Sequence, residues 1–181
     1  MPKIVEEVYY NGARERIERL GLSKLVEEIK SIISGFELRV REQVDANGGA
    51  AVRKLIDARF ERETGWIRKT TGDIDWTKCR RSGGAKICLG VEVQVSARSD
   101  LLVVDMIHLT AAFRDGRIDI GVVIVPSDKL SRFLTDRGPC ISDAKKHARA
   151  ARLEDSPLIL FAIEHDGPGP PLAKQMKRPS K

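Results

Sequence analysis

The sequence has no long apolar run and no recognisable export signal, and both absences restrict where the protein can act. No segment approaches the roughly 20 consecutive apolar residues that a membrane-spanning helix needs. The N-terminal residues lack the basic start and apolar stretch of a secretory signal peptide. We therefore expect a cytoplasmic protein that has no membrane partner.

Cysteine is also scarce. The three residues are Cys79, Cys88 and Cys140, an odd number without a CxxC pair. This pattern does not indicate a disulfide framework and is typical of a reducing compartment. We expect Cys79 and Cys88 to flank a hairpin loop as reduced thiols. The three histidines add no zinc-finger spacing, so a zinc site is not favoured.

The composition predicts one soluble domain and a separate tail. The chain has 181 residues, of which 41% are hydrophobic and 32% are charged, which suffices for a core without metal or disulfide support. Four of the six net positive charges lie in residues 167–181, which begin with a Pro/Gly run. We expect a single domain over residues 1–166 and a disordered basic tail over 167–181. The remaining charge of +2 is too small to indicate nucleic-acid binding by itself.

Apolar periodicity predicts helices on both sides of a buried sheet. Helices in the N-terminal part precede a hairpin, and helices alternate with strands after it. This order predicts an α/β fold with a mixed central sheet flanked by helices. The expected helices cover residues 5–33, broken near Gly21, and 50–62, 100–113, 127–134 and 142–152, and the expected later strands cover 118–125 and 157–163.

Two predicted strands carry polar groups on one face. Val91, Val93 and Val95 alternate with Glu92 and Gln94, so the valines point to one side and the polar groups to the other. From this periodicity alone, the polar face also fits the solvent side of an ordinary amphipathic strand.

The preceding strand adds a carboxylate, and the Gly-Gly loop that follows it is a good hairpin connection. The metal-facing acid is Asp75 or Asp73, and we favour Asp75 because the Ile-Asp-Trp alternation places it in the strand. A carboxylate from each strand is typical of a site for a hard divalent cation such as Mg²⁺.

This pattern, Ile74-Asp75-Trp76 followed by Glu92-Val93-Gln94, resembles the active-site hairpin of PD-(D/E)XK nucleases. It is most similar to the BglII-like type II restriction endonucleases, in which glutamine replaces the usual lysine. The helix beginning near Ser99 and the strand ending at Pro126 continue the resemblance. The resemblance implies a restriction-endonuclease-like sandwich.

The resemblance also implies a chemistry, the hydrolysis of DNA phosphodiester bonds with Mg²⁺ as cofactor. Asp75, Glu92 and the backbone carbonyl of Val93 are the implied metal ligands. Gln94 is the third catalytic residue, and it can orient water but cannot supply charge or act as a base. The implied products carry a 5′-phosphate and a 3′-hydroxyl.

The implied substrate is double-stranded DNA, cut at a specific short site by a homodimer that has a possible cognate DNA methyltransferase in the same system. One alternative is a repair or recombination nuclease of the same fold, and another is a nonenzymatic DNA-binding protein. Two groups of basic residues are expected to contact phosphate. One group lies in the hairpin loop and the other in the last predicted helix: Arg80, Arg81 and Lys86, and Lys145, Lys146 and Arg149.

Overall fold

A six-stranded mixed sheet carries the fold, and helices cover both of its faces. The computed structural model describes residues 1–68, 74–96, 99–135, 138–150 and 156–174. Within these residues the strands are β1 (Lys3–Tyr10), β2 (Arg39–Val40), β3 (Ile67–Arg68), β4 (Trp76–Ser82), β5 (Ala85–Val93), β6 (Ile120–Pro126), β7 (Leu158–Glu164) and β8 (Gly167–Pro168). The helices are α1 (Ala13–Leu20), α2 (Ser23–Ser34), α3 (Gly49–Arg62), α4 (Ser99–Arg114), α5 (Asp128–Phe133) and α6 (Ile141–Ala150).

The strand order in the sheet is β1-β7-β6-β5-β4-β3. Strands β5, β6 and β7 run parallel, whereas β4 is antiparallel to β5 and β1 is antiparallel to β7. Helices connect the parallel strands, as crossover connections require. The predicted α/β fold with a mixed sheet flanked by helices is confirmed.

Two apolar cores lie on opposite faces of the sheet. The odd-numbered residues of β5, among them Leu89, Val91 and Val93, pack with helices α1, α2, α3 and α5. The other face packs with α4 and α6, and there β5 contributes Cys88 before its polar residue Glu92. The polar face of β5 therefore lies under α4.

Among the described residues, no helix has both the length and the apolar character that a membrane crossing requires.

The hairpin between β4 and β5 closes through Gly83 and Gly84, both of which have positive φ (57° and 84°). Two adjacent residues in this conformation form the type of tight turn whose twist matches an antiparallel strand pair. Ser82 pairs with Ala85 across the turn, and the pairing continues without a bulge to Trp76 and Val91. The expected Gly-Gly hairpin is confirmed, and its register determines which residues meet at the open end.

The expectation of two reduced thiols in this hairpin is wrong. Cys79 and Cys88 are directly opposed in the ladder, with a Cα–Cα distance of 4.0 Å, and they form a disulfide. A directly opposed pair of this kind brings both side chains to the same face of the sheet. The odd number of cysteines argued against a disulfide, but two of the three are paired and Cys140 is free.

The N-terminal segment also differs from the prediction. Residues from Val5 to Tyr10 form part of edge strand β1, which pairs with β7, and not a helix. The expected break near Gly21 is confirmed, because this residue ends α1 with a left-handed φ of 62°. The strand was missed because its side chains are only half buried, which leaves a weak alternation.

The predicted disordered tail differs from the structure over residues 167–174. Its first residues form β8, which pairs in parallel with β2. The side chain of Asn47 then accepts a hydrogen bond from the backbone N–H of Leu172 at 3.1 Å, and the Leu172 carbonyl accepts one from Gly48 at 3.1 Å. Backbone pairing, which composition does not reveal, therefore holds this segment against the domain. Residues 175–181 lie outside the described residues.

Candidate active site

Asp75 and Glu92 meet at the open end of the β4–β5 hairpin. The ladder pairs Trp76 with Val91, so the next positions outward are Asp75 and Glu92. Their side chains are hydrogen-bonded to each other, and Glu92 is only 3% exposed. The long connection between these two acids therefore does not separate them. Asp73, the alternative acid, lies outside the described residues.

The backbone of Val93 is bound by side chains where β4 no longer supplies partners. The Val93 N–H donates to Asp75 Oδ2 at 2.8 Å. The Val93 carbonyl accepts a hydrogen bond of 2.6 Å from Nη1 of Arg53. Asp75 and Arg53 thus satisfy the two backbone groups of β5 that would otherwise be unpaired beside the carboxylates.

Arg53 bridges two carboxylates of the site. Its Nη2 lies 2.7 Å from Asp75 Oδ1, and its Nε lies 3.0 Å from both carboxylate oxygens of Asp57. Asp57 in turn accepts a hydrogen bond of 3.1 Å from the indole N–H of Trp76. Burial by itself would lower the pKa of Arg53, but the hydrogen bond and the charge of Asp75 outweigh this effect and raise it.

Close packing of α3 on the sheet brings Arg53 to the end of β5, beside Val93 and Asp75. A Cβ atom at Gly49 would lie 2.3 Å from the carbonyl oxygen of Val95, so only glycine allows this approach of the first turn. Further along the helix, Phe60 stacks on Trp76 with a ring-centroid distance of 5.2 Å. Arg53 lies one turn after Gly49, and this turn therefore faces the end of β5.

Two buried oxygen atoms near the carboxylates have no hydrogen-bond partner among the described residues. One is Oε1 of Gln94, a residue that is 6% exposed, and the other is Oδ2 of Asp105 on α4. A buried polar atom without a partner is costly unless a water or an ion satisfies it. Both atoms are acceptors, which is the type of group that a cation or its bound water would satisfy.

The carboxyl groups of the site raise one another's pKa values. Burial, the hydrogen bond with Asp75 and the charge of Asp75 raise the pKa of Glu92 to about 11, which favours the neutral form of this carboxyl group. Burial and the charge of Asp75 also raise the pKa of Asp105 to about 6. Asp105 thus belongs to the site electrostatically. Negative charge is concentrated here beyond what Arg53 alone compensates.

The donor set at this position suits a hard cation. Among the described residues, no group of three or more His, Cys, Asp or Glu side chains is arranged to hold a metal ion. The predicted metal ligands are only two side chains, the carboxylates of Asp75 and Glu92, and the third ligand is a backbone group, the carbonyl of Val93. All of these donors are oxygen atoms, which Mg²⁺ and Ca²⁺ prefer. The residues therefore fit a divalent cation in chemistry.

The basic residues predicted for the hairpin loop lie instead in the strands β4 and β5, because the turn consists of Gly83 and Gly84 alone, and they are away from this site. Arg80 and Arg81 are five and six positions along β4 from Asp75, or roughly 17–20 Å at about 3.3 Å per residue. Lys86 pairs with Arg81 at the turn end of the hairpin. Nη2 of Arg80 donates to the carbonyl of Leu20 at 3.3 Å, which ties this side chain to the junction of α1 and α2. If these three residues contact DNA phosphates, those phosphates lie away from Asp75 and Glu92.

The second basic group lies on α6. Lys145, Lys146 and Arg149 line an open groove together with Ser142. Lys145 forms an ion pair with Glu6 on β1, the edge strand opposite β3. Lys146 and Arg149 are exposed. This group therefore forms a basic surface over a different part of the sheet, and its contact with DNA stays a prediction.

Comparison with known protein families agrees with this geometry. A family model described as restriction endonuclease BglII/BglIII matches residues 5–163 of the 181. The chain belongs to the BglII/BglIII restriction endonuclease family. Members of the BglII/BglIII family are DNA-cleaving hydrolases that act at specific sites. No curated protein matches the sequence.

The family assignment covers the whole predicted hairpin and the elements after it, but sequence reasoning missed Arg53 and Asp57. Both lie on α3, four residues apart, next to the apolar positions Val52 and Ile56. A charged pair at the border of an apolar helix face is a signal for partly buried ions. It could have indicated that this helix faces a polar site.

Replacing Asp105 with asparagine should stabilise the metal-free protein. The change removes a partly buried negative charge near Asp75 and keeps the side chain's size. We expect the free energy of unfolding to rise by about 1 kcal/mol at pH 8 in the presence of a chelator. Because the pKa of Asp105 is raised to about 6, the gain should shrink below that pH, where the folded protein already carries a neutral Asp105.

Urea denaturation of Asp105→Asn at pH 8 and at pH 5 measures this difference. Asp115→Asn is the control, since Asp115 is exposed near the end of the same helix. A loss of stability in Asp105→Asn at pH 8 would show that the ionised carboxylate is compensated in the folded state.

Proposed function

We propose that the protein is a Mg²⁺-dependent type II restriction endonuclease with a PD-(D/E)XK active site. It hydrolyses phosphodiester bonds of double-stranded DNA at a specific short sequence. The observation that carries the proposal is the meeting of Asp75 and Glu92 beside the Val93 carbonyl, at the end of a hairpin in a chain of this family. The DNA methyltransferase that protects such sites is a proposed partner of the same system.

Asp75, Glu92 and the Val93 carbonyl would hold the cation. When bound, Mg²⁺ polarises the scissile phosphate and lowers the pKa of its bound water. Glu92 has to lose its proton to become a ligand, because metal-binding carboxylates are deprotonated. The buried Oε1 of Gln94, which has no hydrogen-bond partner among the described residues, supports a cation site here, because a water bound to the cation could donate a hydrogen bond to it.

Gln94 positions the attacking water in this proposal. Its amide can donate and accept hydrogen bonds but cannot remove a proton at neutral pH. The new bond forms between the water oxygen and phosphorus, and the bond from phosphorus to the 3′-oxygen breaks. The attacking water gives up a proton to solvent, and the departing 3′-oxygen takes one up. The products are a 5′-phosphate and a 3′-hydroxyl. Burial of Glu92 and Gln94 excludes bulk water from this side of the phosphate and strengthens each polar contact.

Isosteric removal of either ligand should abolish cleavage. Asp75→Asn and Glu92→Gln each remove a negative charge from the cation site and keep the side chain's size. We expect the rate of Mg²⁺-dependent cleavage to fall at least about a hundredfold. Binding of DNA measured in the presence of a chelator should be retained. Asp115→Asn, which removes an exposed charge elsewhere, is the matched control.

Mapping the products on a long DNA of known sequence separates the alternatives. Discrete fragments with common end sequences support a restriction enzyme, whereas diffuse nicking or cutting at junctions would indicate a repair or recombination nuclease. No product with any divalent cation would indicate a nonenzymatic DNA-binding protein. Full activity of Asp75→Asn would exclude this residue as a ligand.

Substitutions at Gln94 test its role. Gln94→Glu should impair single-turnover cleavage because it adds a negative charge beside the phosphate. Gln94→Lys should keep partial activity, since lysine occupies the matching place in most of the superfamily that the hairpin resembles. The Mg²⁺ dependence should persist in both variants. Equal rates for wild type and Gln94→Glu would show that the residue does not face the reacting phosphate.

We also propose that the enzyme acts as a homodimer, with α4 in the interface. Leu101, Val104 and Ile107 are 46%, 40% and 52% exposed, and their spacing of three residues places them on one side of the helix. The opposite side of α4, including Leu102 and Met106, is in the core. A helix that is apolar on both sides typically has a second partner. A two-fold pair would place one active site on each DNA strand.

Breaking this apolar stripe should produce monomers. Val104→Glu and Ile107→Glu place a charge in the proposed interface, and we expect each to shift sedimentation toward the monomer at micromolar concentration. Cleavage of both strands should then change to slow nicking. Val44→Glu is the control, because Val44 is 68% exposed and lies in a loop outside the helix. Dimers that persist in both helix variants would place the interface elsewhere.

A further inference from the structure

The guanidinium of Arg53 contacts two of the three groups that are proposed to hold the cation. Its Nη1 donates to the carbonyl oxygen of Val93 at 2.6 Å, and its Nη2 lies 2.7 Å from Asp75 Oδ1. The third group, Glu92, is hydrogen-bonded to the same Asp75. A positive charge therefore lies in contact with two of the proposed ligand groups and next to the third.

Arg53 also has an anchor outside the ligand set. Its Nε is 3.0 Å from both oxygens of Asp57, a residue that is 7% exposed. Asp57 is held from its other side by the indole N–H of Trp76, which is in the core. This anchor does not depend on Asp75 or Val93. The side chain of Arg53 can therefore give up its contact with Asp75 or with Val93 and stay bound to Asp57.

Simultaneous occupation of this position by two cations is unfavourable. A guanidinium within hydrogen-bond distance of Val93 and Asp75 would repel a divalent ion bound to the same atoms, and this repulsion is strong where water is excluded. Conversely, removal of Arg53 without a metal ion would leave Asp75 as an uncompensated, partly buried carboxylate, and Asp57 would keep only the half-exposed Arg68 as a charged partner.

We propose that Arg53 is the resident cation of the metal-free site. It compensates the charge of Asp75 and occupies the Val93 carbonyl, and it gives up both groups, while anchored on Asp57, when a divalent cation binds. The inference rests on the proposed metal-binding role of Asp75, Glu92 and Val93. It assigns Arg53 as a positioning residue that sets the metal affinity of the site.

Metal binding without DNA tests this role. Titration calorimetry with Mg²⁺ and with Mn²⁺ gives the dissociation constant, and thermal unfolding in a chelator gives the stability of the metal-free form. We expect Arg53→Met to bind both ions at least about fivefold more tightly than wild type, since the competing charge is gone. The same variant should unfold at a lower temperature in chelator.

Arg68→Met is the matched control. Arg68 also contacts Asp57, with Nη2 3.3 Å from Oδ2, and it is half exposed on β3. Arg68 contacts Asp57, Glu61 and the Trp76 ring, and none of these is a proposed metal ligand. We expect its metal affinity to stay within about twofold of wild type, since an exposed charge is screened. Equal tightening in both variants would mean a general charge effect and would overturn the specific role of Arg53.

A second measurement keeps the proposal testable if Arg53→Met does not fold. Arg53→Lys retains the charge but lacks the planar fork that bridges two acceptors, so it identifies the guanidinium NMR signals of Arg53 by their loss. In wild type, these signals should shift as Mg²⁺ is added. Signals that stay unchanged while the metal binds would overturn the proposal, as would weaker or equal binding by Arg53→Met.

The same titrations separate this inference from the proposed function. Wild type should bind metal, and Asp75→Asn and Glu92→Gln should bind it far more weakly. If wild type does not bind, or if these variants bind as well as wild type, the proposed metal site is wrong. If the ligand variants behave as expected but Arg53→Met binds like wild type, only the role of Arg53 is wrong.

Discussion

The register of the β4–β5 hairpin is the constraint on which the rest of the site depends. The two-glycine turn pairs Ser82 with Ala85, and the ladder then continues without a bulge to Trp76 and Val91. Because side chains alternate between faces, a slip of one residue would move Glu92 to the opposite face, into the core that contains Val91 and Val93. The apolar alternation of β5 therefore also holds the carboxylates in place. The disulfide lies in the same register and links the two strands away from the site.

The second constraint is charge. Arg68 adds a second positive charge at Asp57, and four acids converge near Arg53: Asp57, Asp75, Glu92 and Asp105. Arg53 is bound to the first two, and the pKa values of Glu92 and Asp105 are raised to about 11 and about 6. The folded state thus tolerates the cluster by protonating part of it and pairing the rest. A site organised in this way gains stability when a cation binds, since the excess of negative charge is then compensated.

The sequence was informative where one physical signal dominates. The Val-rich β5 and the β-branched run of β6 are buried on both faces, and the Gly-Gly turn has few alternatives, so the hairpin and the sheet core were predictable. Strand β1 was not, because an edge strand with half-buried side chains gives little periodicity. Arg53 was missed for another reason. Its function in the site arises from the packing of α3 on the end of β5 through Gly49, and the only hint of that contact in the α3 sequence is the Arg53–Asp57 pair beside the apolar face. The position of Arg80 at the far end of the hairpin likewise follows from strand length and not from its residue type.

Helix α4 connects the two proposed functions of the molecule. Its inner side carries Asp105 toward the carboxylates, and its outer side carries Leu101, Val104 and Ile107. Val104 and Asp105 are adjacent, so an interface that fixes the outer side also fixes the position of the inner carboxylate. In a homodimer, the partner's helix would restrict rotation of α4 and thereby hold Asp105 at its distance from Asp75. The charge of the site would then depend on assembly as well as on metal, because α4 sets the distance of Asp105 from the hairpin carboxylates that are proposed to hold the cation.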